Sequence, residues 1–173
     1  MATISALPPI VRILGYGGLI PFIVCAILVQ VAPTPLDFVS AESLAAYGAV
    51  ICSFLGAIHW GANCRHLGNV ADSANLASTG DIGGSRWFER NAWIWGVIPS
   101  LVAWLALHVY IPVGLLMLAA MLLVQRGIDQ NTYQYYFSSK AALDEFMVMR
   151  TRLTVIATVC LAWAALVMLV TMT

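Results

Sequence analysis

Six small or polar residues recur at helical spacing in the otherwise apolar stretch 47–66. Steps of four, four, three, four and three residues place them on one face of a helix, and they are Gly48, Cys52, Gly56, His59, Asn63 and His66. A polar group in hydrocarbon is costly without a partner, and small residues let helices approach closely. We therefore expect this face to point into a helix bundle, with His59 as the leading candidate for a functional side chain.

Polar residues near the ends of the other apolar segments could join His59 in a pocket. Such a pocket would bind a lipid headgroup, a quinone carbonyl or a proton, with Arg12 or Arg152 balancing the charge. The alternative is that His59 only bonds a neighbouring helix, while the arginines mark the edge of the membrane. The predicted ligand-binding residues are His59, Trp60, Asn63, Arg12, Tyr16, Trp95, Arg126, Asp129 and Arg152.

Catalytic and metal chemistry have weaker support in the sequence. Ser53 lies six residues from His59, on another helix face, so no nucleophile is positioned beside a base. A metal site would need His59, Cys64 and His66, but Cys64 and His66 are two residues apart and point in different directions. We predict no catalytic residue, no metal and no cofactor. A lipid enzyme would need a second acid or base, such as Asp129, within hydrogen-bond reach of His59.

Composition identifies the environment of these residues. The chain has 173 residues, of which 61% are hydrophobic and 9% charged, whereas soluble domains average about 25% charged. Eight basic residues balance eight acidic ones, which argues against nucleic-acid binding. The four cysteines form no CxxC pair or disulfide framework. We therefore predict an integral membrane protein.

Five apolar segments predict five transmembrane helices in a single all-α domain, 1–173. A span needs about 20 residues, and the fourth segment reaches that length only if its helix continues through Arg126 and Ile128. Pro21 and Pro99 lie inside spans and predict kinks. The segments are 13–32, 43–65, 92–110, 111–125 and 151–172.

The basic residues predict the orientation of the bundle. With five spans, all eight Lys and Arg fall on one side of the membrane and none on the other. Because basic residues favour the cytoplasmic side, we expect the N-terminus inside and the C-terminus outside.

Two connections on the predicted inner side are long. The second, 66–91, has no apolar period and is predicted to be an irregular loop. The fourth contains the aromatic residues Tyr133, Tyr135, Tyr136 and Phe137 and then an amphipathic run. We expect this run, 138–150, to form a short helix at the membrane surface, against lipid or another protein.

Several runs resemble the transmembrane protein 69-like family, small multi-span proteins of unknown function from proteobacteria and mitochondria. They are LGYGGLIPF at 14–22, YGAV at 47–50, SFLGAIHWG at 53–61, IPSLVAW at 98–104 and RTRLT at 150–154. The family pattern has a proline near Leu153 that this chain lacks. The resemblance implies a bacterial inner membrane, or a mitochondrial inner membrane in a eukaryote, and implies no activity.

The expected function is therefore a non-catalytic accessory or assembly subunit of a larger membrane complex, such as a respiratory complex. The expected partners are the lipid bilayer and another membrane protein or a second copy of the chain. One alternative is a binder or carrier of a small molecule, lipid or quinone around His59. The other is a membrane-embedded lipid enzyme.

Overall fold

The computed structural model describes residues 7–73, 82–133, 137 and 139–171, and for 65–73, 82–90 and 92 it describes the backbone alone. These residues form helices and short connections, with no strand among them. The helices are α1 (Pro9–Gly17), α2 (Ile20–Val31), α3 (Leu36–Ser73), α4 (Ile82–Ala106), α5 (Ile111–Thr132) and α6 (Lys140–Thr171). Since α1 and α2 are two halves of one apolar rod, the predicted all-α bundle of five helical rods is confirmed.

Four rods are long and apolar enough to cross a membrane, so the protein is membrane-embedded. They are Pro9–Val31, Leu36–Cys64, Ile111–Thr132 and Lys140–Thr171. The apolar helical part of α4, Trp93–Ala106, is shorter. The shortest apolar helical segment is thus that of α4, at the third predicted span, whereas α5 continues helically past Arg126 to the length that a span requires.

The break between α1 and α2 has a local cause. Pro21 has no N–H to donate to the carbonyl of Gly17, so the helix loses a bond at that turn. The neighbouring carbonyl of Gly18 accepts a hydrogen bond from the Tyr47 hydroxyl at 2.9 Å, and the Tyr47 ring packs edge-on against Phe22. The polar atom next to the break is therefore satisfied by α3.

Helix α3 is the centre of the bundle, in agreement with the predicted role of the second span. It packs against α2, α4, α5 and α6. Its small and polar face points inward as expected: Gly48, Cys52, Gly56, His59 and Asn63 are all buried. Val50 and Phe54, on the opposite face, are exposed. His66 lies outside the residues whose side chains are described.

Glycine allows α3 and α4 to approach closely. A Cβ added to Gly56 would lie 2.8 Å from the carbonyl oxygen of Gly96 and 3.2 Å from Pro99. A Cβ added to Gly96 would collide with the Trp60 ring. Small residues that let backbones approach closely are typical of helix interfaces in a bilayer.

The bundle interior away from His59 contains a layer of buried leucines. Gly48 on α3 lies against Leu118 of α5 and Leu161 of α6, because a Cβ there would be 3.3 Å and 3.4 Å from those side chains. We name this region the leucine layer and define it as Leu115, Leu118, Leu122 and Leu161, which are all almost completely buried.

Two predicted connections differ from the structure. The segment 66–91 is largely helical, because α3 continues to Ser73 and α4 begins at Ile82. The segment 140–150 is helical but continues without a break into the last span, so the structure shows no separate surface helix there. The helix expected at 138–150 is therefore present but not separate. A helix that leaves the membrane can satisfy its backbone in water without an apolar stripe, and for that reason periodicity did not reveal the helical parts of 66–91. Residues 134–136 and 138 of the predicted aromatic connection lie outside the described residues.

Candidate functional site

Three helices bring ionisable side chains together in the bundle interior. His59 comes from α3, Asp129 from α5 and Arg150 from α6. Only 1% of His59, 1% of Asp129 and 4% of Arg150 is exposed. We name this cluster, with Thr154, the polar network.

Asp129 is the centre of the polar network because each of its carboxylate oxygens has a different partner. Its Oδ1 is 3.2 Å from His59 Nε2. Its Oδ2 accepts a hydrogen bond from Arg150 Nε at 3.1 Å and lies 2.9 Å from Arg150 Nη2. On its other side the guanidinium donates from Nη1 to the Thr154 hydroxyl at 2.8 Å. One carboxylate thus joins α3, α5 and α6.

The partners of His59 determine which of its ring nitrogens carries the hydrogen. A carboxylate paired with an arginine is an acceptor only, so the His59–Asp129 bond requires a hydrogen on Nε2. With a neutral imidazole, the negative Asp129 and the positive Arg150 sum to no net charge. Breaking a buried pair leaves an uncompensated charge, which costs several kcal/mol, so this balance is what makes the site tolerable in a bilayer.

Four-residue spacing on α5 and α6 positions these side chains. Gln125, Asp129 and Tyr133 follow one another at four-residue steps and are each 1% exposed. On α6, Arg150 and Thr154 have the same spacing and are also buried. Residues four apart lie on one helix face, so α5 presents a polar stripe to α3, and the buried polar pair of α6 meets that stripe at Asp129.

Aromatic rings border the polar network. The Tyr133 ring centroid is 5.7 Å from that of His59 and 5.7 Å from that of Phe146. Phe146 in turn lies 5.3 Å from Phe137. The Tyr133 ring thus lies against the His59 ring, and Phe146 and Phe137 continue the aromatic contacts away from it.

A second polar contact between α3 and α5 lies one turn from Asp129. The Gln125 amide donates from Nε2 to the backbone carbonyl of Cys52 at 3.0 Å. The thiol of Cys52 lies 4.0 Å from the carbonyl of Leu118. Polar groups therefore continue from the network to the edge of the leucine layer.

All three ionisable groups lie near one end of the apolar part of the bundle, which we name the polar end: the apolar span of α3 ends there at Cys64, α5 finishes there and α6 begins there. His59 is 23 residues from Leu36, Asp129 is 18 from Ile111 and Arg150 is 21 from Thr171. At 1.5 Å per residue these positions are about 35, 27 and 32 Å from the far end. A hydrocarbon core is about 30 Å thick, so the network lies near its edge.

A family model described as "Protein of unknown function (DUF3429)" matches residues 7–166. The chain belongs to this family. The match includes every member of the polar network. Neither a curated protein nor a solved structure matches the chain.

In this DUF3429 chain, the structure brings three of the predicted ligand-binding residues into one region. His59 and Asp129 are bonded to each other, and Asn63 is buried one helical turn after His59. Trp95 packs against the edge of the hydrophobic core, and its indole N–H is buried with no partner among the described residues.

The other predicted residues lie outside the network. Arg12 pairs with Glu145, whose carboxylate also accepts a hydrogen bond from the Leu7 backbone at 3.1 Å. Arg126 donates to the Thr151 hydroxyl at 2.8 Å, on the surface between α5 and α6. Tyr16, Trp60 and Arg152 are exposed. The Trp60 indole donates to the backbone carbonyl of Trp93 at 2.9 Å, so this side chain joins α3 to α4.

Arg150, Gln125 and Tyr133 were not among the predicted site residues. The orientation rule treats Arg150 and Arg152 alike, because both begin the last span. Their spacing offered a signal: Arg150 and Thr154 share one face of α6, and Gln125, Asp129 and Tyr133 share one face of α5. Recognising that the faces meet required the packing of the helices.

Proposed function

We propose that this protein is a non-catalytic subunit or assembly partner of a larger membrane complex, such as a respiratory complex. The observation that supports the proposal is the closure of the polar network. Asp129 is shared between His59 and Arg150, and all three are almost fully buried. A ligand site would need His59 to face a cavity, whereas here its Nε2 is committed to a carboxylate of the same chain.

The outer surface of the bundle is consistent with a subunit. Large aromatic side chains are exposed on different faces, including Phe54 on α3, Trp104 on α4 and Trp163 on α6. Trp and Phe are enriched at the cores of protein interfaces, where they fill pockets on the partner. A partner helix can cover such side chains in place of lipid.

Native mass spectrometry after gentle extraction from the native membrane tests the proposal. We expect discrete added protein masses on the 18.7 kDa chain. Trp104→Ala and Trp163→Ala form a matched pair, because each removes one exposed ring on a different helix. Loss of the partner mass in one variant and not in the other would locate the interface. A lone chain with one reproducible small mass would reject the subunit proposal and favour a lipid or quinone carrier.

One observation favours a second candidate, acid–base chemistry on a membrane lipid. His59 has a carboxylate within hydrogen-bond reach at 3.2 Å, which is the condition that the enzyme hypothesis required. A carboxylate that orients an imidazole fixes its tautomer and stabilises the protonated ring. If His59→Gln and Asp129→Asn fold and leave the membrane lipids unchanged, this candidate is rejected.

We also propose an inner-membrane location with the polar end on the cytoplasmic side, and we group the chain with the transmembrane protein 69-like proteins that its runs resemble. The support is the position of the basic residues at the polar end. Cys64 is exposed near that end, and Thr34 is exposed in the loop before α3 at the far end. An impermeant maleimide applied from outside should label Thr34→Cys and spare Cys64. Labelling of Cys64 from outside would reverse the orientation.

A further inference from the structure

Two buried polar atoms lie beyond the polar network toward the far end. Gln125 uses its Nε2 to bond the Cys52 carbonyl, so its Oε1 is directed to the other side of the amide. That Oε1 is buried and has no hydrogen-bond partner among the described residues. The Thr158 hydroxyl on α6 is also buried and has no hydrogen-bond partner among the described residues.

Thr158 differs from other threonines of the same helix. The hydroxyls of Thr151 and Thr171 bond the carbonyls four residues earlier, at 2.7 Å to Met147 and 3.1 Å to Val167. This bond within the helix is the ordinary way for a threonine to satisfy its hydroxyl. The Thr158 hydroxyl does not make it, so its hydrogen-bonding capacity is directed away from its own helix.

The register of α5 and α6 places the two atoms close to one level. The helices are antiparallel, with Asp129 opposite Arg150 and Leu118 opposite Leu161, as the ion pair and the shared contact with Gly48 show. Position 125 therefore lies opposite position 154, and Thr158 is one turn farther along. One turn is about 5.4 Å of axial distance, a separation that one small molecule can bridge between two side chains.

At the level of Gln125 and Thr158, the bundle interior changes from polar to apolar. Toward the polar end lies the polar network, whose Thr154 accepts from Arg150. Toward the far end lies the leucine layer, with Leu118, Leu122 and Leu161 at 0–1% exposure. Gln125 and Thr158 thus stand at the boundary, with an acceptor and a hydroxyl left to bond a guest.

We propose a water-binding site at this boundary, with Gln125 Oε1 and Thr158 Oγ1 as its ligands. Water is the guest that fits, because it donates to a carbonyl oxygen and both donates to and accepts from a hydroxyl. A buried polar atom in hydrocarbon gains more from such a guest than it would in a wet surface cleft. The water extends the polar groups around His59 and Asp129 to the edge of the leucine layer.

Water-edited solid-state NMR on the full chain in lipid vesicles tests the site. The threonine and leucine methyl groups are labelled with carbon-13. Thr34, in the exposed loop before α3, serves as the hydrated reference. We expect the Thr158 methyl to receive polarisation from water at the same mixing time as the Thr34 methyl. The methyl groups of Leu118 and Leu161 should receive no detectable polarisation from water at that mixing time. Thr158→Val assigns the signal by its disappearance.

A second variant connects the signal to the proposed ligands. Gln125→Leu removes Oε1, and we expect the Thr158 methyl to lose its transfer from water while Thr34 keeps it. Ser53→Ala is the matched control, since the Ser53 hydroxyl already bonds the Ala49 carbonyl at 2.9 Å, and the Thr158 transfer should survive it. Absence of transfer to Thr158 in the unmodified chain, with transfer to Thr34 present, overturns the proposal. Transfer that persists in Gln125→Leu rejects Gln125 as a ligand.

Discussion

The two halves of the bundle interior are held together in different ways. The half at the polar end is joined by directed bonds, with Asp129 bonded to His59 and to Arg150. The other half is joined by the shapes of Leu118, Leu161 and the small Gly48. In a bilayer, apolar side chains gain little from leaving lipid, so close packing and polar bonds both have to replace the hydrophobic effect.

This contrast predicts which substitutions the fold should tolerate. Contacts in the leucine layer are many and individually weak, so a lost methyl group removes only a fraction of them. Contacts in the polar network are few, and each removal strands a charge or a dipole in a medium that cannot solvate it. We therefore expect substitutions to lower the stability of the bundle by graded amounts, with the largest loss in the polar half.

The largest effect should follow from Arg150→Met. The variant keeps most of the side-chain volume, but it leaves Asp129 buried without its cation. Removing one partner of a buried pair typically costs about 3–5 kcal/mol. A loss of that size should appear as a clear shift of the unfolding midpoint when the protein in mixed micelles is titrated with a denaturing detergent.

Arg152→Met is the matched control, because Arg152 is exposed two residues away on the same helix. Exposed charged groups contribute about 0–1 kcal/mol, so this variant should unfold close to the unmodified protein. Combining Arg150→Met with Asp129→Asn should recover part of the lost stability by removing the stranded charge. Equal effects of Arg150→Met and Arg152→Met would show that the polar network does not hold the bundle.

The inward face of α3 was predictable because small and polar residues at helical spacing in an apolar segment form a face that suits neighbouring helices better than lipid. The burial of Gly56, His59 and Asn63 confirms that expectation. The sequence indicated Asp129 as a partner of His59 only as a requirement of the lipid-enzyme hypothesis. Nothing close to Asp129 in the sequence shows which helix it packs against. Tertiary packing decides such pairings, and the spacing along one helix does not contain them.

The elements outside the membrane were predicted least well. Residues 66–73 and 82–91 belong to helices although their sequence has no apolar period. The helix predicted for 138–150 is present from Lys140, but it continues into the last span, where a separate surface helix was expected. Hydropathy reports where a helix is in contact with lipid or core, and a helix in water has no such signal.

An effect of intermediate size should follow from Gly56→Ala, at the level between the two halves. The new Cβ would lie 2.8 Å from the Gly96 carbonyl oxygen, so α3 and α4 would have to separate. Overpacking of this kind typically costs about 1–3 kcal/mol. The same detergent titration measures the loss.

Gly61→Ala offers the matched control on the same helix, because a Cβ there meets nothing within 4 Å. Alanine is better than glycine in a helix by about 1 kcal/mol, so this variant should be neutral or more stable. If Gly56→Ala is as harmless as Gly61→Ala, the close approach of α3 and α4 is not a source of stability.

The smallest effect should follow from Tyr47→Phe, which removes a polar bond at the level of the leucine layer. The Tyr47 hydroxyl donates to the Gly18 carbonyl at 2.9 Å beside the break between α1 and α2. Neither group is charged, and hydrogen bonds between membrane helices average about 0.6 kcal/mol, so the unfolding midpoint should move only slightly. Tyr16→Phe, at an exposed tyrosine near the same break, should not move it at all. A loss of stability for Tyr47→Phe as large as that for Arg150→Met would mean that one neutral hydrogen bond at the break holds the first rod in place. The division between a polar and an apolar half would then not describe how the bundle is stabilised.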